Sequence, residues 1–357
     1  MTQSDTRINP ILPQEPILRV ENLEVKFSLR GQTLTAVRGV SLDLMRGESL
    51  AIVGESGSGK SVLVKSFMGM LENNGRISGG SIMYDGHDLA AYKTEKEWLP
   101  LRGHAFSMVM QDPMTSLNPL KTIGSQIGEA IRLHQGLRGV PLRDAVHSTL
   151  SDVGITNPIR RAKQYPHEFS GGMRQRVVIA IAIACRPSIL ICDEPTTALD
   201  VTIQATILNL IKSLKEKYNL TVIYITHDLG VVASVADRIA VMYTGDIVEI
   251  GQAEEVFYSP AHPYTWALLS SLPQLGERGE ELYAITGTPP NLFNEIKGDA
   301  FAARNPRALA VDFAHRPPYF SITPTHKART WLLDPRAPKI TPPEAIERLR
   351  RMEAEAL

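Results

Sequence analysis

Two spacings of apolar residues alternate along the chain, one typical of buried strands and the other typical of helices. Buried strands are predicted for four short apolar runs, "ESLAIVG", "HAFSMVMQ", "SILICDEP" and "TVIYITHD". Helices are predicted after positions 60, 171 and 201, where apolar residues recur every three or four positions. Strands that alternate with helices predict the α/β class, with a mainly parallel sheet covered on both faces.

Three other regions complete the predicted elements. Residues 18–54 have the patterns of successive strands, and residues 124–152 have helical spacing with a break at Gly139–Pro141. From about residue 259 prolines become frequent, which predicts a C-terminal extension of short elements and turns. Its last segment, "PPEAIERLRRMEAEAL", is predicted to be a surface helix.

Composition narrows the possible functions. The 357 residues are 43% hydrophobic, enough for a sizeable core, and 38 basic residues balance 38 acidic ones. This zero net charge speaks against a nucleic-acid partner. The longest apolar run, Val177–Cys185, is much shorter than the roughly 20 residues of a membrane-spanning helix. Any work at a membrane would therefore require docking onto a protein that spans it.

The chemistry starts with "GESGSGKS", Gly54–Ser61, which lies between a predicted buried strand and a predicted helix. The glycines allow successive backbone N–H groups to point at one anion, and the helix start adds positive potential. Lys60 supplies a full charge for β- and γ-phosphates, and the Ser61 hydroxyl can bind Mg²⁺. The loop therefore predicts a nucleoside triphosphate, with kinase, GTPase, helicase and transporter ATPase all left open.

Two further stretches narrow this choice. "ILICDEP" ends a buried strand in Asp193, placed to hold Mg²⁺ through water, and Glu194, placed as general base for the attacking water. A guanine-reading Asn-Lys-x-Asp stretch is missing from the sequence, which disfavours a GTPase. "EFSGGMRQR" sets Ser170 and two glycines before a helix, a second anion-binding terminus. One ATP does not need two such termini in one chain, so we expect a dimer in which each subunit closes the other's site.

These motifs, in this order, resemble those of the ATP-binding-cassette (ABC) ATPases over about residues 17–260. The resemblance implies a P-loop NTPase fold with a RecA-like mainly parallel sheet, an antiparallel β subdomain and an α-helical signature subdomain at about 112–172. It implies an ATPase domain at 17–258, followed by the extension at 259–357. The implied activity is ATP hydrolysis, with ATP and Mg²⁺ bound.

The resemblance also implies a role for each matching residue. Gln111 would sense Mg²⁺ and the attacking water, His227 would contact the γ-phosphate, and Asp200, in "TALD", would cross the dimer interface. Phe27 would stack on adenine, the alternative being a core strand residue. The remaining ATP-binding residues would be Gly54, Glu55, Ser56, Gly57, Ser58, Gly59, Lys60, Ser61 and Val62 in the loop, and in trans the signature residues Ser170, Gly171, Gly172 and Met173. In that signature, "FSGGM", Phe169 and Met173 depart from the commonest Leu and Gln.

Three segments resemble the oligopeptide/dipeptide permease ATPases in particular, namely residues 108–127, 165–185 and 262–273. This resemblance implies an importer subunit peripheral to the cytoplasmic face of the membrane. Its partners would be two transmembrane permease subunits, a second ABC ATPase subunit that is a paralogue, and an extracytoplasmic peptide-binding protein. The region after Gln111 would form the groove for a coupling helix of the membrane subunit.

One departure and several alternatives remain. Many members of this family carry four cysteines in the extension that bind an iron–sulfur cluster, and Asp299, Asn305, Asp312 and Thr330 stand at those places here. Because a cluster needs thiolates, we predict none. The alternative function is an importer of nickel or another small solute. A cassette ATPase acting on DNA or ribosomes, or an exporter, is disfavoured because the chain has neither a long insert nor a second cassette and carries the importer-type extension.

Overall fold

The structure, a computed structural model, describes residues 15–196, 200–232, 234–272 and 285–356. Its strands are β1 (Pro16–Leu29), β2 (Gln32–Met45), β3 (Ser49–Val53), β4 (Gly75–Tyr84), β5 (His87–Asp88), β6 (Phe106–Val109), β7 (Ile189–Asp193), β8 (Thr221–Thr226), β9 (Arg238–Tyr243), β10 (Asp246–Gln252), β11 (Phe320–Ser321) and β12 (Lys327–Ala328). Its helices are α1 (Lys60–Phe67), α2 (Glu95–Trp98), α3 (Pro113–Ser116), α4 (Ile123–Gln135), α5 (Gly139–Asp152), α6 (Pro158–Arg161), α7 (Gly171–Ile183), α8 (Val201–Tyr218), α9 (Leu229–Val232), α10 (Ala253–Tyr258), α11 (Pro263–Ser270), α12 (Ala310–Ala314) and α13 (Glu344–Ala356).

The central sheet has the strand order β11-β12-β10-β9-β3-β8-β7-β6. The five strands from β9 to β6 run parallel. The other three pair antiparallel at one edge. This arrangement confirms the mainly parallel sheet predicted from the alternation of apolar strands and helical segments. It also brings the carboxyl ends of the parallel strands to one edge, where ligands bind in open α/β sheets.

Apolar residues fill the space on both faces of this sheet. In β3 every residue is buried, with Ala51 and Val53 in one core cluster and Leu50 and Ile52 in the other. Because side chains alternate across a strand, a continuous apolar run is what a two-sided burial requires. The four runs predicted as buried strands form β3, β6, β7 and β8.

A separate antiparallel sheet, in the order β2-β1-β4-β5, lies on one of these faces. The helices α3–α6 follow β6 and precede α7, and they form the helical subdomain. In α4 the residues Ile123, Ile127 and Ile131 are buried at a spacing of four, and α4 packs against α5 and α7. Both subdomains implied by the family resemblance are therefore present.

The helix break predicted at Gly139–Pro141 lies elsewhere. α4 ends at Gln135 and is capped by Gly136, which has a left-handed φ of 68°, and α5 already begins at Gly139. Pro141 lies in the first turn of α5, where backbone N–H groups have no helical partner, so proline is accommodated there. The predicted break was therefore wrong by a few residues, because Gly139 and Pro141 belong to the start of α5 and Gly136 stops α4.

The extension joins the central sheet instead of forming a separate layer. β12 pairs with β10, with Glu249 opposite Ala328, and β11 pairs with β12. The prediction of a surface helix at the end of the chain is incomplete, because Ile346 and Leu349 of α13 are buried and the helix packs against α10 and α11. Among the described residues, the helices are all too short or too polar to cross a membrane.

Candidate active site

Four sequence motifs meet at the carboxyl edge of the parallel strands. The loop "GESGSGKS" follows β3, and Gln111 follows β6. Asp193 is the last residue of β7, Glu194 comes next, and His227 follows β8. Their meeting place encloses a cavity of about 370 Å³. The cavity is lined by Phe27, Leu34, Ala36, Ser56, Gly57, Gly59, Lys60, Ser61, Val62, Gln111, Asp193, Glu194 and Leu292. Most of the predicted nucleotide residues therefore surround one site.

The backbone of the loop depends on glycine at its ends. Gly59, immediately before α1, has a φ of 100°, and a Cβ added there would lie 2.5 Å from the carbonyl oxygen of Ala36. A Cβ at Gly54 would lie 2.1 Å from the carbonyl oxygen of Met242 in β9. Only a residue without a side chain lets the loop pack this closely onto β2 and β9.

Lys60 is buried at the base of the loop. Its Nζ donates to the carbonyl oxygens of Gly54 at 2.7 Å and Glu55 at 2.9 Å, and lies 3.4 Å from the Ser58 hydroxyl. Burial lowers the pKa of Lys60, and the nearby carboxylates of Glu194, Asp193 and Glu55 act in the opposite direction. The loop's own carbonyls thus hold the ammonium group in the place where a triphosphate would be bound.

Ser61 and Asp193 place a hydroxyl and a carboxylate next to each other in the lining of the cavity. The Ser61 hydroxyl donates to Asp193 Oδ1 at 3.2 Å. Burial raises the pKa of Asp193, and Glu194 raises it further, while the hydrogen bond from Ser61 lowers it. A hydroxyl and a carboxylate beside a phosphate site fit the hard oxygen coordination of Mg²⁺, since this ion binds through few protein ligands plus water and phosphate.

Glu194 lies between the two other residues predicted to be catalytic. Gln111 Nε2 donates to Glu194 Oε2 at 2.8 Å, and His227 Nδ1 lies 3.1 Å from Glu194 Oε1. The Glu194 backbone has a φ of 47°, and its N–H donates to the Ile225 carbonyl at 2.9 Å. A non-glycine residue in this region is strained, and such strain is found where a side chain must be aimed. The structure therefore brings Gln111, Glu194 and His227 together around one carboxylate.

The signature residues and Asp200 lie apart from this cavity, since none of them is among the described residues that line it. Ser170 caps α7 by accepting from the Met173 N–H at 3.4 Å, and both Ser170 and Gly171 are exposed. Asp200 caps α8 by accepting from the Ile203 N–H at 3.0 Å. The other residues of "TALD", 197–199, lie outside the described residues. Exposed caps of this kind remain available to a second molecule.

Phe27 stands at the apolar end of the cavity, with Leu34 and Ala36 of β2. Its ring lies against Gly75, where an added Cβ would be 2.5 Å from a ring carbon. The side chain is only partly buried, and it also packs against the apolar core beside the antiparallel sheet, so its contact with adenine stays a prediction. A partly exposed aromatic side chain in this position can stack on a planar base.

The extension contributes residues that the sequence analysis did not assign. Leu292 lines the apolar end of the cavity, and its carbonyl accepts from the Thr35 N–H at 3.2 Å. Tyr264 and Arg304 both contact Glu55 in the loop. No local sequence signal points to these contacts, because more than 200 residues separate the partners within the chain.

The four positions of the missing cysteines lie in the interior of the extension. Asn305, Asp312 and Thr330 are buried, and burial raises the pKa of Asp299 to about 7. The described residues contain no group of three or more histidine, cysteine or acidic side chains that could hold a metal. The two cysteines are far from the extension in sequence, in buried positions near α7 and β7. The absence of an iron–sulfur cluster remains a prediction.

The helical subdomain carries a cavity of about 680 Å³ between α4, α5 and α6. Thr122, Gly128, Leu142 and Ile159 line it together with the basic residues Arg132, Arg143 and Lys163. Ile159 is strongly exposed. This mixture of apolar and charged surface includes Thr122, Gly124 and Ser125 of the segment after Gln111, where the sequence predicts a groove for a partner helix.

Comparisons with known proteins agree with this geometry. A family model for ABC transporters matches residues 37–197, and one for the C-terminal region of oligopeptide/dipeptide transporters matches residues 248–311. The chain is 58% identical to the oligopeptide transport ATP-binding protein AmiE of Streptococcus pneumoniae over 93% of this chain and 94% of AmiE. It is 52% identical to the oligopeptide transport ATP-binding protein OppD of Bacillus subtilis over 93% of each chain.

A solved structure supports the fold. The ATP-binding cassette MJ0796, a dimer in a post-hydrolysis state with ADP and Pi, has a TM-score of 0.59 and 26% identity over 66% of this chain and 98% of that chain. The match to AmiE covers 93% of this chain, and the second family model lies in the extension. The chain therefore belongs to the ABC transporter ATP-binding proteins of the oligopeptide/dipeptide family, and it is an ATPase with the cassette fold.

Proposed function

We propose that this chain is the ATP-hydrolysing subunit of an importer of oligopeptides or dipeptides. The observation that carries the proposal is the Glu194 carboxylate, held at 2.8 Å from Gln111 and 3.1 Å from His227 beside the phosphate loop. The match to AmiE and OppD over nearly the whole chain, extension included, supports the transported class. The transported peptide itself does not contact this chain.

In the proposed reaction Glu194 accepts a proton from the water that attacks the γ-phosphate, and Gln111 orients that water. His227 contacts the γ-phosphate, and Lys60 stabilises the charge that develops on the transferred group. Ser61 and Asp193 would hold Mg²⁺, Asp193 through a water molecule, and Gln111 would approach it as well. When bound, Mg²⁺ supplies positive charge against the phosphate oxygens. Phe27 stacks on the adenine.

A second ATPase subunit completes each site. The exposed cap at Ser170, with Gly171, Gly172 and Met173, closes over the γ-phosphate held by the partner's loop, and Asp200 crosses the interface between them. We propose that the partner is a paralogue, which makes the assembly a heterodimer. ATP binds the closed dimer more tightly than the open one, and this difference in affinity drives the closure.

The dimer transmits closure to two transmembrane permease subunits from the cytoplasmic face of the membrane. The apolar and basic cavity between α4, α5 and α6 suits a short helix from a permease subunit. An extracytoplasmic peptide-binding protein delivers the solute to these subunits on the other side. The ATPase domain, 17–258, supplies the energy, and the extension, 259–357, packs onto that domain through the pairing of β12 with β10.

Affinity purification of the protein from its native membrane, followed by an ATPase assay of the recovered complex, tests this function. We expect two multi-span subunits, a second cassette subunit and a peptide-binding protein, and ATP turnover that rises when peptide is supplied. Recovery with a nickel-binding or other small-solute-binding protein would contradict the peptide assignment and support the alternative importer. Recovery with DNA or ribosomes would remove transport altogether.

A further inference from the structure

Glu55, the second residue of the phosphate loop, is held from two sides by the C-terminal extension. Its backbone N–H donates to the Tyr264 hydroxyl at 2.8 Å. Its carboxylate accepts two hydrogen bonds from Arg304, from Nη1 to Oε2 at 2.7 Å and from Nη2 to Oε1 at 3.0 Å. Such two-pronged pairs fix direction as well as charge. The extension thus contacts the loop that binds the phosphates.

Arg304 is itself tightly fixed, so it can act as a rigid support. Its side chain is only 5% exposed. Nη1 also donates to the Tyr243 hydroxyl at 3.1 Å, and Nε donates to the Thr286 carbonyl at 3.0 Å. The guanidinium lies over the rings of Tyr243 and Phe301, at 5.8 Å and 6.0 Å from their centroids. A guanidinium immobilised in this way loses little entropy when it holds a carboxylate.

The Glu55–Arg304 pair interacts electrostatically with Lys60, the lysine of the phosphate loop. The Glu55 carbonyl accepts from Lys60 Nζ at 2.9 Å, and the Glu55 carboxylate is one of the charges that act on Lys60. Without Arg304 this carboxylate would be an uncompensated negative charge beside the site of a triphosphate. Like charges at short range in a partly buried site repel strongly.

We propose that Arg304 is a positioning residue for nucleotide binding, which acts through Glu55. It fixes the start of the phosphate loop, and it cancels a carboxylate charge that would otherwise oppose ATP. This inference rests on nucleotide binding at the loop, which is part of the proposed function, and not on the identity of the transported solute. Binding linkage is reciprocal, so bound ATP in turn stabilises the docked position of the extension.

The test is a set of ATP dissociation constants, measured by titration calorimetry on the purified full-length chain with Mg²⁺. We expect Arg304→Ala to raise the Kd at least about tenfold, the effect of losing hydrogen bonds to a charged group. Adding Glu55→Gln to Arg304→Ala removes the uncompensated charge, so the double variant should bind ATP more tightly than Arg304→Ala alone. A merely structural role for Arg304 would not produce this rescue. The Kd of Glu55→Gln alone completes the double-mutant cycle, which gives the interaction energy between Glu55 and Arg304.

Arg316→Ala is the matched control. Arg316 also joins the extension to the ATPase domain, through Asp246 at 2.6 Å, but it does not contact the loop. We expect its Kd for ATP to stay within about twofold of the wild-type value, since the contacts that are lost, the ion pair to Asp246 and a hydrogen bond to the Arg38 carbonyl, are not made to the loop. An equal loss in Arg316→Ala and Arg304→Ala would show that general loosening of the extension causes the effect, and would overturn the proposal.

The remaining outcomes separate the proposal from its premise. If Arg304→Ala does not fold, as judged by circular dichroism, Arg304→Lys keeps the charge and loses the two-pronged contact, and we expect an intermediate Kd. A folded Arg304→Lys or Arg304→Ala with wild-type affinity would overturn the proposal, as would a double variant no tighter than Arg304→Ala. If the wild-type chain itself bound no ATP, nucleotide binding would fail, and the proposed function with it.

Discussion

Alanine at Gly59 tests whether close packing, and not only backbone conformation, requires glycine in the phosphate loop. Gly59 has a φ of 100°, and an added Cβ would lie 2.5 Å from the Ala36 carbonyl oxygen. Gly57 lies two residues earlier, also at positive φ (78°), but an added Cβ there would meet no atom within 4 Å. The same substitution at the two positions therefore differs in its steric contacts, which at Gly59 also include Met242 Cε at 3.0 Å and Gly245 Cα at 3.4 Å.

The magnitudes follow from these two cases. A non-glycine residue at positive φ costs about 1–2 kcal/mol. Replacing glycine by alanine also restricts the unfolded chain, which returns about 0.4–1 kcal/mol of stability where no strain opposes it. We therefore expect Gly57→Ala to lower the free energy of unfolding by about 1 kcal/mol or less. Gly59→Ala adds overpacking against backbone, about 1–3 kcal/mol more, because a backbone carbonyl cannot rotate away.

Denaturant titration of both variants, followed by circular dichroism, measures the free energies of unfolding. A second titration with ATP reports whether the loop still binds nucleotide, and we expect Gly57→Ala to retain more affinity than Gly59→Ala. Equal losses of stability in the two variants would refute the steric reasoning. They would mean that β2 moves away from an added methyl group at no cost.

Three other expected outcomes rest on separate features. Glu194→Gln should lower ATP turnover at least about a hundredfold while ATP stays bound, because a proton acceptor is lost; unchanged turnover in a steady-state assay would remove Glu194 as the base. Burial raises the pKa of Asp299 from 3.8 to about 7, so the folded protein holds a proton that the unfolded chain releases, and this group makes stability fall as pH rises from about 4 to 7. Asp299→Asn should reduce that decline in denaturant titrations, and an unchanged slope would contradict the burial argument. Leu349→Ala should cost about 2–5 kcal/mol by leaving a cavity under α13, and a solvent-facing helix would lose almost nothing.

Local patterns predicted the parts of the site that depend on short stretches of chain. Continuous apolar runs identified β3 and β7, and the residues that follow them, Lys60 and Glu194, are held at the sheet edge as expected. This prediction was possible because the carboxyl ends of parallel strands all lie at the same edge of the sheet. The same holds for the predicted cap at Ser170, whose side chain accepts from the N–H of Met173 three residues later.

The contacts made by the extension could not be predicted in this way. Arg304 pairs with Glu55, which lies 249 residues earlier in the sequence, and the local sequence "FAARNP" contains no pattern that indicates a partner in the loop. Such contacts depend on how β12 docks on β10, and that docking is decided by tertiary packing. The buried face of α13 is different, because Ile346 and Leu349 are three residues apart and this spacing already indicates a buried stripe.

The pairing of β12 with β10 bears on how far this chain can be shortened. A chain ending soon after α10 would leave the outer edge of β10 with unpaired backbone groups, a template on which another chain can add a strand. It would also leave the buried Glu249 carboxylate without His326, which now lies 2.7 Å from it. Removing the extension is therefore expected to expose a strand edge that favours pairing between molecules, and to leave a buried carboxylate without its partner.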